Sequence, residues 1–292
     1  MRISLRKWTL LAGAVAVLAL AMPSWAQLTQ YDLNTRMGTE SHIGKITGHA
    51  KDAKSDYRRY CVGCHGELGD GNGENAPYMQ PPMYQQPRDF QLGVFKCRST
   101  PTGTLPTDQD LFDAITRGFD RSNMPVWNTF TKQERADLVA WVKHFSPRWV
   151  NEKPGTPIQI PPEPEVTADR IKAGRDVYAR VQCWKCHGVL GQANGPSAAT
   201  LADDLGRPIA AFNFAEGARP KCGDTDRDIY RIFMTGLDGT PMPSFADNIK
   251  PEEAWDLVFY LRTLMSQPSK EKEMAKKLDL KPVNPNAPAG QQ

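Results

Sequence analysis

The chain has 292 residues, with 36 lysines and arginines against 33 aspartates and glutamates. This length is sufficient for two domains. Because the opposite charges nearly balance and no basic patch stands out, the composition argues against a nucleic-acid-binding protein.

The first 26 residues have the pattern of a secretory signal. Three basic residues within the first seven precede an uncharged apolar run of residues 8–22, and small residues ending at Ala26 form a cleavage site. The run has 15 residues, fewer than the roughly 20 that a membrane-spanning helix needs. We therefore expect a soluble periplasmic protein that meets the membrane only through a partner. A retained membrane anchor is the alternative.

Removal of this segment changes the charge of the protein. The segment holds three basic residues and no acidic one, so 33 residues of each sign remain and the net charge of +3 belongs to the precursor. Export also places the remaining cysteines on the oxidising side of the membrane, where disulfides form and persist.

Two pentapeptides, residues 61–65 and 183–187, share the pattern Cys-x-x-Cys-His. This is the attachment motif of haem c, in which two thiols bond to one edge of the porphyrin and the histidine binds iron. A zinc site would need a second ligand pair at matching spacing, and a thioredoxin-type motif would lie beside a βαβ pattern. Neither feature is present. The sequence therefore predicts two covalently bound haem c groups. The attachment residues are Cys61, Cys64, Cys183 and Cys186, and the proximal iron ligands are His65 and His187.

Helices account for most of the predicted secondary structure. Four are expected over about residues 53–64, 108–117, 168–186 and 226–235. A further helix follows the capping box that begins at Thr131, and another has Pro251 in its first turn.

The two halves of the chain form a direct repeat of about a hundred residues. Residues 107–110 are matched by residues 225–228, and the dipeptide at 124–125 by the dipeptide at 242–243. From the threonine to the methionine is 17 residues in both copies, without a gap. A repeat of this length indicates a duplicated domain.

Composition suggests where the domains begin and end. Residues 151–166 contain five prolines, which favours an extended, semi-rigid linker. Residues 268–292 are rich in lysine and proline and lack aromatic residues, so a disordered tail is expected. The predicted domains are residues 27–150 and 167–267. The beginning of the first one, residues 27–50, has no clear pattern.

Each half resembles a class I cytochrome c domain, and the whole resembles the periplasmic di-haem cytochromes c built from two fused units. In that family a small residue and an aromatic, four apart on the first helix, cross an aromatic on the last helix. Gly174, Tyr178 and Tyr260 match this pattern; Ala53, Tyr57 and Trp141 match it more loosely. The resemblance implies an all-α fold of two tandem domains, each wrapped around one covalently attached haem c.

The resemblance also implies the sixth iron ligands, because the family uses a methionine on the loop before the last helix. Met124 and Met242 occupy that place. Elimination supports the second assignment, since the second half contains no histidine other than His187. In the first half the competing methionines are Met37, Met79 and Met83.

His/Met ligation fills both axial positions and raises the reduction potential, which favours one-electron transfer. No catalytic residue is assigned. We expect a periplasmic electron carrier whose partners are redox proteins, such as a dehydrogenase, a reductase or a terminal oxidase. One alternative is a di-haem enzyme resembling thiosulfate dehydrogenases or peroxidases, although the equivalent Met-Pro loops argue against one open haem. The other is a fixed electron-transfer subunit of a larger complex.

Two cysteines, Cys97 and Cys222, lie outside the attachment motifs at corresponding places in the repeats. Two duplicated domains packed about a pseudo-two-fold axis bring equivalent residues together. We therefore hypothesise a disulfide that locks the domains face to face; two separate buried thiols are the alternative. Lys96 and Lys221, which precede these cysteines, are expected to be exposed, with iron ligation as the alternative.

Overall fold

The computed structural model describes residues 34–79, 85–120 and 122–287. The predicted signal, residues 1–26, lies outside the described residues. Among those described, no helix combines the length and apolar character needed to cross a membrane.

The described elements are mostly helical. In the first half they are β1 (Glu40–Ile43), β2 (Ile46–His49), α1 (Ala50–Asp56), a π-helical turn (Tyr57–Cys61), α2 (Val62–His65), α3 (Asp108–Arg117), α4 (Lys132–His144) and α5 (Arg148–Asn151). In the second half they are α6 (Ala168–Arg180), α7 (Trp184–His187), α8 (Asp226–Thr235), α9 (Pro251–Leu264) and α10 (Lys270–Lys277). The predicted all-α class is confirmed, with one small sheet added.

Helix starts follow the predicted caps. Thr107, Thr131 and Thr225 each accept a hydrogen bond from the backbone three residues on, in complete capping boxes. The predicted helices at 108–117 and 226–235 coincide with α3 and α8. The helix predicted over 168–186 is interrupted between α6 and α7, because Gln182 has a left-handed backbone with φ of 61°.

The segment without a clear sequence pattern forms an antiparallel hairpin in the part that is described. β1 pairs with β2, with Glu40 opposite His49. Its side chains and backbone bind α4: the Ser41 hydroxyl donates to the Ala136 carbonyl at 2.7 Å, and the His49 amide donates to the Asp137 carboxylate at 2.8 Å. The hairpin thus packs on the last helix of the first half.

Each half has its own hydrophobic core, built where the first and last helices cross. In the second half a methyl group added at Gly174 would lie 1.9 Å from the Asp256 carbonyl oxygen, so α6 and α9 are in backbone contact. Tyr178 packs on Tyr260 with ring centroids 5.4 Å apart. The corresponding pair in the first half, Tyr57 and Trp141, is 5.6 Å apart.

The expectation of a disordered tail is wrong for its described part, residues 268–287. Ser269 caps α10, whose side chains pack with the following residues on the second core. Met274, Leu280 and Val283 make these contacts, and Val283 is buried. Three apolar residues are sufficient to anchor a segment that is otherwise rich in lysine and proline.

The proline-rich linker is extended and hydrogen-bonded to both halves. The Gly155 amide donates to the Leu105 carbonyl at 3.1 Å, and the Ile158 amide to the Ser99 carbonyl at 2.8 Å. Towards the second half, the Trp255 indole N–H donates to the Pro161 carbonyl at 3.3 Å. These bonds hold the linker against the protein.

Reciprocal ion pairs join the two halves. Arg98 is buried, donates to the Thr235 carbonyl at 2.6 Å and pairs with Asp238 at 2.9 Å. From the second half, Arg219 pairs with Asp120 at 3.0 Å. Because Asp120 and Asp238 are equivalent in the repeat, the halves meet in an approximately two-fold manner.

Cys97 and Cys222 are joined by a disulfide, with their Cα atoms 5.1 Å apart. Both residues are buried at the contact between the halves. Of the two alternatives drawn from the sequence, the structure contains the disulfide.

Candidate haem sites

The proximal histidines end short helices and are oriented by backbone carbonyls. His65 Nδ1 lies 3.2 Å from the Arg88 carbonyl oxygen, and His187 Nδ1 lies 2.9 Å from that of Phe212. A carbonyl accepts only from a protonated Nδ1, so Nε2 is left with its lone pair for a metal. Burial lowers the pKa of His65 to about 4 and also lowers that of His187. Both rings are therefore neutral at physiological pH.

A buried tyrosine supports each histidine from the preceding helix. The Tyr57 hydroxyl donates to the Gly66 carbonyl at 2.8 Å, and the Tyr178 hydroxyl to the Gly188 carbonyl at 2.7 Å. Each bond fixes the carbonyl of the glycine that directly follows a histidine. The repeat therefore preserves the geometry of the site as well as its motif.

The four motif cysteines are half-buried, and none of them forms a disulfide. Burial raises the pKa of the Cys61 and Cys183 thiols to about 12, so both are protonated until haem is attached. All four line cavities, one pair in each half, together with the histidine of the same motif.

The two cavities contain the same types of group. The second has a volume of about 680 Å³, and the first is smaller, at about 160 Å³. Both are lined mainly by apolar side chains. An apolar cavity with two thiols, one neutral imidazole and a thioether sulfur fits haem c, which would bond to the cysteines and supply a redox-active iron.

The methionine loops follow α3 and α8 and are built alike. Met124 and Met242 line the first and second cavity respectively, and each carbonyl accepts a backbone hydrogen bond, from Phe119 at 3.1 Å and Leu237 at 3.0 Å. The loop begins at a glycine in both halves. A methyl group on Gly118, whose φ is 62°, would lie 2.4 Å from the Pro125 carbonyl oxygen.

The competing methionines of the first half occupy different places. Met79 is buried and also lines the first cavity, where its counterpart in the second cavity is Leu201. Met37 packs against the first hydrophobic core, and Met83 lies outside the described residues. The structure thus brings Met79 and Met124 together with His65.

Lysines in the cavity walls are the feature that the sequence interpretation missed. Lys96 and Lys221, expected to be exposed, are half-buried and line both cavities, as does Gln85. The sequence signal for this placement was that each lysine directly precedes one of the two paired cysteines. Because the disulfide joins the halves, the neighbouring lysines also lie at the contact between them.

Together, the paired attachment motifs, the neutral imidazoles and the duplicated helical fold define a c-type cytochrome. Two family models match in tandem: "Cytochrome C oxidase, cbb3-type, subunit III" over residues 48–142 and "Cytochrome c" over residues 171–265. A solved chain of the Kuenenia stuttgartiensis reducing HAO-like protein complex is 40% identical, with a TM-score of 0.70, and the match covers 74% of this chain and 96% of that chain. A search of curated proteins found no match. The chain belongs to the di-haem cytochromes c, with one covalently attached haem c in each of its two domains.

Proposed function

We propose that this protein is a periplasmic electron-transfer protein, in which His65 with Met124 and His187 with Met242 ligate the two irons. The observation that carries the proposal is the equivalence of the two methionine loops, each lining the cavity that holds a proximal histidine. Two filled axial positions leave iron no vacancy for a substrate, so the chemistry that remains is the gain and loss of single electrons.

The residues of the chain serve this role by fixing the iron-binding side chains in position and by excluding water from the cavities. Backbone carbonyls orient the imidazoles, tyrosine hydroxyls fix the neighbouring peptides, and apolar walls surround each cavity. Haem, when bound, supplies the iron that alternates between two oxidation states. Removal of the segment 1–26 on export and attachment of both haems at their cysteine pairs belong to the same proposal.

We further propose that the chain works as a subunit of a larger oxidoreductase complex. This was one of two alternatives to a freely diffusing carrier, and the solved relative favours it, because that relative is a chain of a protein complex. The partner is then a second redox protein that exchanges electrons with one of the haems.

Replacement of the methionines tests the ligand assignment. We expect Met124→Ala and Met242→Ala each to let one reduced haem bind carbon monoxide and to lower its potential, because a ligand is removed. Met79→Leu is the matched control, since the second half has leucine at that position, and it should bind none. Carbon monoxide binding by Met79→Leu but not by Met124→Ala would assign the ligand to Met79 instead.

The native size of the protein tests the subunit proposal. A tagged copy expressed in the source organism should elute above its own mass, in fixed ratio with another haem-staining polypeptide. Elution of all the protein at the mass of a single chain would support a free carrier.

A further inference from the structure

The two cavities adjoin one another beside the disulfide. Gln85, Lys96 and Lys221 line both cavities, while Cys97 lines the first and Cys222 the second. Because each lysine directly precedes a bonded cysteine, the disulfide fixes the two lysine backbones relative to each other. One lysine side chain from each half is thereby placed in the wall between the sites.

In the described part of the chain, neither lysine forms an ion pair with an aspartate or glutamate. Lys96 Nζ donates to the Gln85 amide oxygen at 2.5 Å. Burial lowers the pKa of Lys96 to about 6, with further lowering from Arg88 and Lys221 and a smaller opposing effect of the Asp203 carboxylate. Burial also lowers the pKa of Lys221 to about 8. Buried cations close together need an anion to remain charged.

Few other charges line the cavities. Apart from the histidines, the described charged residues there are Arg88, which lines the first cavity, Glu216, which lines the second, and the two lysines. Glu216 accepts a hydrogen bond from the Asn213 amide at 2.7 Å. The excess of positive charge thus lies where both cavities meet.

We propose that Lys96 and Lys221 form a shared cation pair that binds the carboxylates of both haems. The carboxylates are the anionic substituents of an otherwise apolar ring, and they match in charge the lysines that line these apolar cavities. Each haem would then be neutralised by lysines from both halves. The inference depends on two bound haems and not on the proposed electron-transfer role.

A cation close to a haem favours its reduced state, because reduction removes one positive charge from the iron. Loss of either lysine should therefore lower the potentials of both haems. Spectroelectrochemical titration of the holoprotein tests this with Lys96→Gln and Lys221→Gln. We expect both one-electron steps to shift downwards in each variant. Lys96→Arg and Lys221→Arg should keep the wild-type potentials, as should Lys153→Gln, which changes an exposed lysine.

Three results would overturn the proposal. Wild-type potentials in both glutamine variants would show that the lysines do not bind haem carboxylates. A shift of only one step in each variant would mean that each lysine serves its own half. Wild-type potentials that change with added phosphate at constant ionic strength, an effect lost in the variants, would assign the pair to a free anion.

Labelling of wild-type holoprotein tests the same pairing without a substitution. A lysine paired with a carboxylate stays protonated and reacts slowly with acetic anhydride at neutral pH, whereas an unpaired lysine of lowered pKa reacts readily. Peptide mass analysis should find Lys96 and Lys221 modified more slowly than Lys153. Equal or faster modification of the pair would contradict the proposal.

Discussion

Single hydrogen bonds orient each proximal histidine, and they are the same in both halves. The imidazole Nδ1 of His187 faces a carbonyl oxygen, and the next peptide is held by the Tyr178 hydroxyl. A carbonyl acceptor, unlike a carboxylate, leaves the ring without a neighbouring negative charge. The site residues could be predicted individually from Cys-x-x-Cys-His, but these acceptors could not, because they come from loops about 25 residues away.

Removal of the Tyr178 hydroxyl tests its contribution. Tyr178→Phe leaves the buried Gly188 carbonyl without its donor, so we expect a loss of about 1–2 kcal/mol in the free energy of unfolding. Tyr230→Phe is the matched control, because the hydroxyl of that buried tyrosine makes only a long, weak hydrogen bond of 3.4 Å to the Pro251 carbonyl. Denaturant unfolding of the two holoproteins provides the comparison. Equal losses would mean that the bond at Gly188 has no special role.

Local sequence signals were sufficient to predict a helix or its packing where a cap or a close crossing sets the geometry. The threonine caps and the crossing at Gly174 were predictable because they depend on a few neighbouring residues. The hairpin at residues 40–49 and α10 were not. The hairpin contacts α4, and α10 with the residues after it contacts the second core. These contacts join residues that are distant in sequence, so they cannot be predicted from local composition.

The close crossing of α6 and α9 predicts that a larger side chain at position 174 strongly lowers stability. Gly174→Ala would force the backbones of α6 and α9 apart, because the added methyl group overlaps the Asp256 carbonyl. We expect destabilisation of about 3 kcal/mol or more. Gly38→Ala, where nothing lies within 4 Å, should change stability little. If thermal unfolding gave the same melting temperature for both variants, α6 and α9 would not be in backbone contact at Gly174.

Residues 268–287 are expected to stabilise the second domain through their contacts with its core. Val283 is buried against the second core, so Val283→Ala should cost about 2 kcal/mol of unfolding free energy. Val150→Ala changes a valine that is 70% exposed and should cost almost nothing. If denaturant unfolding of Val283→Ala matched that of Val150→Ala, residues 268–287 would be detached in solution.

For the whole molecule, the duplication explains why equivalent residues meet. The disulfide could be anticipated from two unpaired cysteines at matching positions, whereas the reciprocal Arg98–Asp238 and Arg219–Asp120 pairs could not. The arginines have no counterpart in the repeat, so only the packed halves reveal their partners.

The disulfide should contribute substantially to stability. It spans a sequence separation of 125 residues, and closing a loop of that size raises the free energy of the unfolded chain by about 5 kcal/mol. We expect Cys97→Ser with Cys222→Ser to lower the free energy of unfolding by that order, measured with denaturant under non-reducing conditions. Alkylation of denatured, unreduced wild-type protein should leave both cysteines unmodified. Labelling of both would show that the bond is absent.

Each half holds one haem c, and we propose that each iron has both axial positions filled. The most direct measurement is the visible spectrum of the purified wild-type holoprotein during stepwise reduction and after addition of carbon monoxide. We expect uptake of two electrons per chain and no change in the reduced spectrum with carbon monoxide. Uptake of one electron, or rapid formation of a carbon monoxide complex at either haem, would contradict this expectation.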